Sequence, residues 1–151
     1  MNVGTICKRN VVTVAPTDDL TTAAQLMRER HVGYLIVTEP GIEPGKQRPV
    51  GVLTDRDIVV AVLAPGADVN ALRVDDVMSR DPEVAQDTDS IAEALATMRR
   101  VGVRRLPIVS VRGDLVGVLS LDDILDSLAE QLQDLAGSIR TEQAVESVVR
   151  T

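Results

Sequence analysis

The chain has 151 residues, 44% of them apolar, which is enough for one compact domain or for two small units sharing a core. Sixteen Lys and Arg stand against 23 Asp and Glu, and the net charge of −7 argues against a nucleic-acid or anionic-membrane partner held by a general positive field. One His and one Cys allow neither an internal disulfide nor a Cys/His zinc cage within the chain, and no stretch approaches the roughly 18 apolar residues of a membrane span.

MNVGTICKRN carries no apolar run of signal-peptide length, and the lone Cys7 suits a reducing compartment, so a cytoplasmic protein is expected. With no Phe, no Trp and only Tyr34, the core must be built from Val, Leu, Ile, Ala and Met. Val-rich strands alternating with Ala- and Leu-rich helices satisfy that demand, so the fold class is α/β (α+β).

The first helix opens at Thr17-Asp18-Asp19, a cap signal, and Leu20, Ala23, Ala24 and Met27 form one apolar face. His31 falls at its end, an ordinary place for His and beside no nucleophile. Val32–Val37 then reads as a strand, and Pro40, Gly41, Pro44 and Gly45 mark an exposed loop over Glu39–Gln47. A second strand follows at Pro49–Leu53, then a helix through Ile58–Leu63, broken by Ala64-Pro-Gly-Ala67.

From there the pattern starts again. A shift of 71 residues lays VGTICKRN on VDDVMSRD, and Leu20, Ala23, Ala24 and Met27 on Ile91, Ala94, Leu95 and Met98, after a second cap signal at Thr88-Asp89-Ser90. It also lays Val32–Val37 on Val103–Ile108. Pro49–Leu53 matches Leu115–Leu119 at a shift of 66, because the long loop of the first unit is replaced by a short turn at Arg112-Gly113-Asp114. Each unit reads as lead-in turn, strand, helix, strand, hairpin, strand, helix. One unit of this size is marginal alone, and two packed about a pseudo-twofold axis complete a common core.

Both units close with the same motif, Gly51-Val-Leu-Thr54-Asp-Arg-Asp57 and Gly117-Val-Leu-Ser120-Leu-Asp-Asp123. A strand ends in a hydroxyl residue, and a carboxylate follows three positions later in the first turn of a helix. The helix start and the hydroxyl suit a phosphate or ribose oxygen, the Asp suits ribose hydroxyls, and the glycine would permit close backbone approach. The same spacing is also a capping box, which needs no ligand.

The doubled motif, with GVLTDRDIV and VRRLPIV, resembles the CBS-domain pair over about Val3 to Leu132. That resemblance implies two βαββα-like units, with CBS domain 1 over 1–66, CBS domain 2 over 67–135 and a helical extension over 136–151. It also implies two symmetry-related clefts for AMP, ADP, ATP, S-adenosylmethionine or a related adenosyl ligand, bound as a regulatory signal with no catalytic residue and no bound metal. Asp57 and Thr54 would serve one cleft and Asp123 and Ser120 the other, with adenine near Val12–Val14 and Glu83–Ala85. Arg104 and Arg105 would reach phosphate, where the first unit has Gly33 and Tyr34, and Arg56 faces Asp122 at the equivalent position, so the clefts are expected to be unequal.

Beyond Ile124 an apolar stripe continues through Leu125, Leu128, Leu132 and Leu135; Gly137-Ser138 is expected to interrupt it before another helix at Ile139–Val149. A stripe left over after the core is complete packs on something. The resemblance implies a homodimer, and a chain with no effector domain would act in trans on a regulated protein partner. The competing expectation is a ligand-free homodimeric scaffold whose Thr/Ser-x-x-Asp motifs are only helix caps.

Overall fold

A computed structural model describes residues 1–149, so the last two residues of the expected extension lie outside it. The chain folds as two α/β units. In the first, β1 (Thr13–Val14) runs parallel to β2 (Tyr34–Pro40), which pairs antiparallel with β3 (Gln47–Thr54). In the second, β5 (Ala85–Gln86), β6 (Arg105–Val109) and β7 (Leu115–Ser120) repeat that arrangement. Even the irregularities coincide: a register shift falls between Val37 and Thr38 in one sheet and between Ile108 and Val109 in the other, positions 71 apart.

The two main helices also correspond, but their ends differ. α2 (Leu20–Arg30) starts at Asp19, which makes no side-chain cap bond, and stops at His31 in the left-handed conformation, φ 54°. α5 (Ile91–Val101) starts with a full capping box between Ser90 and Glu93 and stops at Gly102, φ 76°. Glycine reaches that conformation at little cost, whereas a side chain there is strained. Ahead of each helix one Asp holds the turn: Asp18 accepts from the Ala15 N–H and Asp89 from the Gln86 N–H, both at 2.9 Å.

Each unit takes its last core piece from the lead-in of the other. α1 (Val3–Ile6) precedes the first unit but packs in the second core, where Val3 is fully buried with Ala94, Leu106, Leu119 and Ile124, and Ile6 and Cys7 flank them. α4 (Val74–Val77) precedes the second unit but packs in the first, with Val74 and Met78 against Leu20, Leu35, Leu53 and Val62. After α4, β4 (Ser79–Arg80) pairs with β3; after α1, Lys8 exchanges two 2.9 Å backbone hydrogen bonds with Val118 of β7. Two short segments, 9–12 and 81–84, therefore cross from one sheet to the other.

This exchange explains the motif glycines differently from the sequence reading. A Cβ on Gly117 would lie 2.6 Å from the Lys8 carbonyl oxygen and 2.9 Å from Cys7 Sγ; one on Gly51 would lie 2.6 Å from Met78 Sδ and 2.9 Å from the Ser79 carbonyl oxygen. The glycines admit the exchanged lead-ins, and neither lines a cleft.

The ends of the repeats depart further from expectation. The first unit closes with α3 (Asp55–Ile58), which continues as a π-helical turn over Val59–Leu63. The second closes with α6 (Leu121–Val149), which runs unbroken through Gly137. A single interior Gly costs only about 1 kcal/mol, and the turn is tied by the Thr141 hydroxyl donating to the Gly137 carbonyl at 3.0 Å. The first-unit loop is also shorter than expected, because the strands extend to Pro40 and from Gln47.

Candidate functional site

The crossing segments form walls of two cavities, one at each motif. The first cavity, of about 600 Å³, brings Thr54 and Asp57 together with Ser79 and Arg80 of β4, Asp81–Glu83 of the second crossing, Val101 and Val103, and Arg104, Arg105 and Tyr34. The second, of about 300 Å³, brings Ser120, Asp122 and Asp123 together with Lys8, Asn10–Val12 of the first crossing, His31–Gly33, and again Tyr34 and Arg105. Both volumes fall in the range of small-molecule sites. Glu83 and Val12 line the clefts, while Ala85 and Val14, expected beside them, are core residues. Arg56 is exposed and lines neither cleft, although Asp122, at the equivalent place on α6, lines the second.

Both motifs form complete capping boxes, so the scaffold expectation is correct about the local geometry. Asp57 Oδ2 accepts from the Thr54 N–H at 2.9 Å, and Thr54 Oγ1 accepts from the Asp57 N–H at 3.1 Å. Asp123 Oδ2 and Ser120 Oγ do the same at 3.0 and 3.1 Å. A carboxylate offers about four lone-pair sites, and the box engages one oxygen only. Asp57 Oδ1 makes no hydrogen bond or ion pair among the described residues, whereas Asp123 Oδ1 lies 3.6 Å from Lys8 Nζ.

The clefts differ in charge. Arg80, Arg104 and Arg105 accompany Asp57, Asp81 and Glu83 in the first; Lys8 and Arg105 accompany Asp122 and Asp123 in the second. Lys8 occupies the position that Ser79 holds in the first cleft, and Arg104 the position that Gly33 holds in the second. Between the clefts the Arg105 guanidinium carbon lies 5.6 Å from the centroid of the Tyr34 ring, a cation–π contact. Burial of the phenol pushes its ionisation well above the usual range, and the Arg105 charge offsets that only in part. Sequence reasoning missed Lys8, Arg80 and the shared position of Tyr34. The shift of 71 pairs Lys8 with Ser79 and Tyr34 with Arg105; the exchange of lead-ins brings Lys8 and Arg80 to the motifs, and the hairpin register sets Tyr34 opposite Thr54 and Arg105 opposite Ser120.

A tandem-repeat α/β module with twin clefts between its halves, each carrying charged side chains, is the class this architecture defines. The chain belongs to the CBS domain family, which it matches over residues 3–64 and 74–130. It is 34% identical over 131 residues to the CBS domain-containing protein YhcV of Bacillus subtilis, covering 87% of this chain and 86% of that one. It is 37% identical over 131 residues to Hypoxic response protein 1 of Mycobacterium tuberculosis, covering 86% and 82%. A crystal structure of Hypoxic Response Protein I with two coordinated zinc ions superposes with a TM-score of 0.70 at 32% identity, over 83% of this chain and 98% of that one. The CBS domain pair of protein MJ0100 in complex with 5′-methylthioadenosine and S-adenosyl-L-methionine shares the fold, with a TM-score of 0.71 at 21% identity over 87% of this chain and 98% of that one. The chain spans 61% of the length of an uncharacterized Methanopyrus kandleri relative, and it matches an inosine-5′-monophosphate dehydrogenase of Korarchaeum cryptofilum through 27% of that enzyme.

No helix among the described residues is long and apolar enough to cross a membrane.

Proposed function

We propose that this chain is a non-catalytic ligand-sensing module that holds an adenosine-containing nucleotide in one or both clefts and acts in trans on a protein partner. The observation that carries the reading is the spare oxygen of each motif carboxylate. In both repeats the capping box engages Oδ2 and leaves Oδ1 outside the cap, on a residue that lines a cavity, where it can accept from ribose hydroxyls. Arg104 and Arg105 in the first cleft, and Lys8 with Arg105 in the second, supply cations for a 5′ phosphate. The adenosyl ligands of the MJ0100 pair, a protein of the same fold, agree with this choice of ligand class.

The module is a homodimer in this reading. Leu125, Leu128, Leu132 and Leu135 are 43–66% exposed along α6, and Val59, Val60 and Leu63 are 51–73% exposed at the end of the first unit. A second copy would cover these apolar side chains. Burial raises the Cys7 thiol pKa, which accords with a packing role.

Calorimetric titration with AMP, ATP and S-adenosylmethionine tests the proposal. Saturable binding is expected, with the heat of one cleft lost in Asp57→Ala and that of the other in Asp123→Ala. Folded variants that bind as wild type, or no heat with any of the three, would favour the scaffold reading, in which the motifs are caps alone.

A further inference from the structure

Tyr34 and Arg105 occupy equivalent positions, 71 residues apart, at the first residues of β2 and β6. They are also the two residues that line both clefts. The repeat has thus placed a guanidinium over an aromatic ring between the two halves, with its carbon 5.6 Å from the ring centroid and both side chains lining both cavities. Arg105 is exposed and makes no ion pair or hydrogen bond among the described residues. Its guanidinium carries one charge and a single planar fork of donors, so it serves one phosphate bidentately at a time.

We infer that Arg105 is a phosphate contact shared by the two clefts, so that filling one with a phosphorylated nucleotide weakens phosphate binding in the other. The inference rests on the nucleotide reading above and adds to it a direction of coupling and the residue responsible. A guanidinium drawn onto a phosphate in the first cleft leaves the second with Lys8, which already faces Asp123 at 3.6 Å. Drawn into the second cleft, it leaves Arg80 and Arg104 in the first, where Asp57, Asp81 and Glu83 offset their charge and Arg80 already donates to the Asp75 carbonyl at 3.0 Å. An uncharged nucleoside makes no claim on Arg105. Coupling is therefore expected with AMP and absent with adenosine, and by reciprocity each cleft weakens the other by the same factor.

Site-resolved methyl NMR tests this, with Val103 reporting the first cleft and Val12 the second, titrated with AMP and with adenosine. In the wild type, the second cleft is expected to bind AMP at least about 5-fold more weakly when the first is full than in Asp57→Ala, where the first is disabled. Adenosine is expected to fill the clefts independently. Arg105→Gln should abolish the AMP coupling and weaken AMP, not adenosine, in both clefts, while Tyr34→Phe keeps the ring and should keep the coupling. If AMP fills only one cleft of the wild type, the Asp→Ala change that disables that cleft frees Arg105 and should admit AMP to the other, whereas Arg105→Gln should not. Independent or mutually reinforcing AMP binding, coupling that survives Arg105→Gln, or a cleft that stays closed when the other is disabled would overturn the inference and leave the nucleotide reading standing. No response of either methyl to either compound would instead overturn the nucleotide reading and the coupling with it.

Discussion

The two repeats are built from the same parts in the same order, yet they reach their structures by unequal means. The second helix is closed by Ser90 with Glu93 and by Gly102; the first is closed by Asp19 without a side-chain bond and by His31 at positive φ. Asp57 keeps a spare oxygen with no ion pair among the described residues, while Asp123 faces Lys8. What the halves share is the exchanged lead-in, which makes each core depend on residues that precede the other unit. The pseudo-symmetry is therefore a property of packing, and the differences lie in the caps and charges around it.

The largest effects are expected where that exchange is broken. Val3→Ala and Val74→Ala each remove a fully buried side chain and should cost about 2 kcal/mol in chemical denaturation. Amide exchange should show the damage crosswise: Val3→Ala should loosen β6 and β7, and Val74→Ala should loosen β2 and β3. Damage confined to the unit that each residue precedes in sequence would refute the exchange.

The glycines sharpen the comparison. Gly117→Ala meets the backbone oxygen of Lys8 and should cost about 1–3 kcal/mol. Gly51→Ala should cost less by the same denaturation midpoint, since its backbone contact, the Ser79 carbonyl oxygen, is longer at 2.9 Å and its shortest contact is the Met78 side chain.

Smaller again are the caps. Ser90→Ala should cost about 1 kcal/mol, against a few tenths for Asp19→Ala, and His31→Gly should raise stability by about 0.5–1 kcal/mol. Thermal melts of the three variants would show whether the first helix is the less well closed.

Tyr34 provides the mildest probe, silent at neutral pH. As the only tyrosine, its phenolate absorbance is expected near pH 10 in denaturant but only well above it in the folded protein. Because the unfolded chain releases that proton first, the contribution is fully present below pH 10 and stability should fall as the pH rises beyond it. A folded-state titration at the ordinary value would show that the ring between the clefts is open to water.

Much of this was legible in the sequence because it is local. The spacing of Leu20, Ala23 and Met27, and of their partners in the second half, is a helix face wherever it occurs, and Thr54-x-x-Asp57 and Ser120-x-x-Asp123 fix their own geometry through caps. What was not legible depends on contacts between distant segments. Gly51 and Gly117 looked like points of ligand approach because the segments that crowd them, Met78-Ser79 and Cys7-Lys8, lie far away in the chain. Lys8 and Arg80 gave no local sign of facing a cleft for the same reason. Gly137 was misjudged on the opposite ground: residue type suggested a helix break, and the helix that carries it runs through.

The central claim is that two carboxylates, each half-spent on a helix cap, hold a ribose with what remains. A crystal structure of the chain saturated with AMP measures this directly. The account predicts ribose hydroxyls within hydrogen-bonding distance of Asp57 Oδ1, of Asp123 Oδ1, or of both, with both capping boxes intact. Nucleotide seated elsewhere with both carboxylates untouched, or crystals at saturating AMP with both cavities filled by solvent alone, would contradict it.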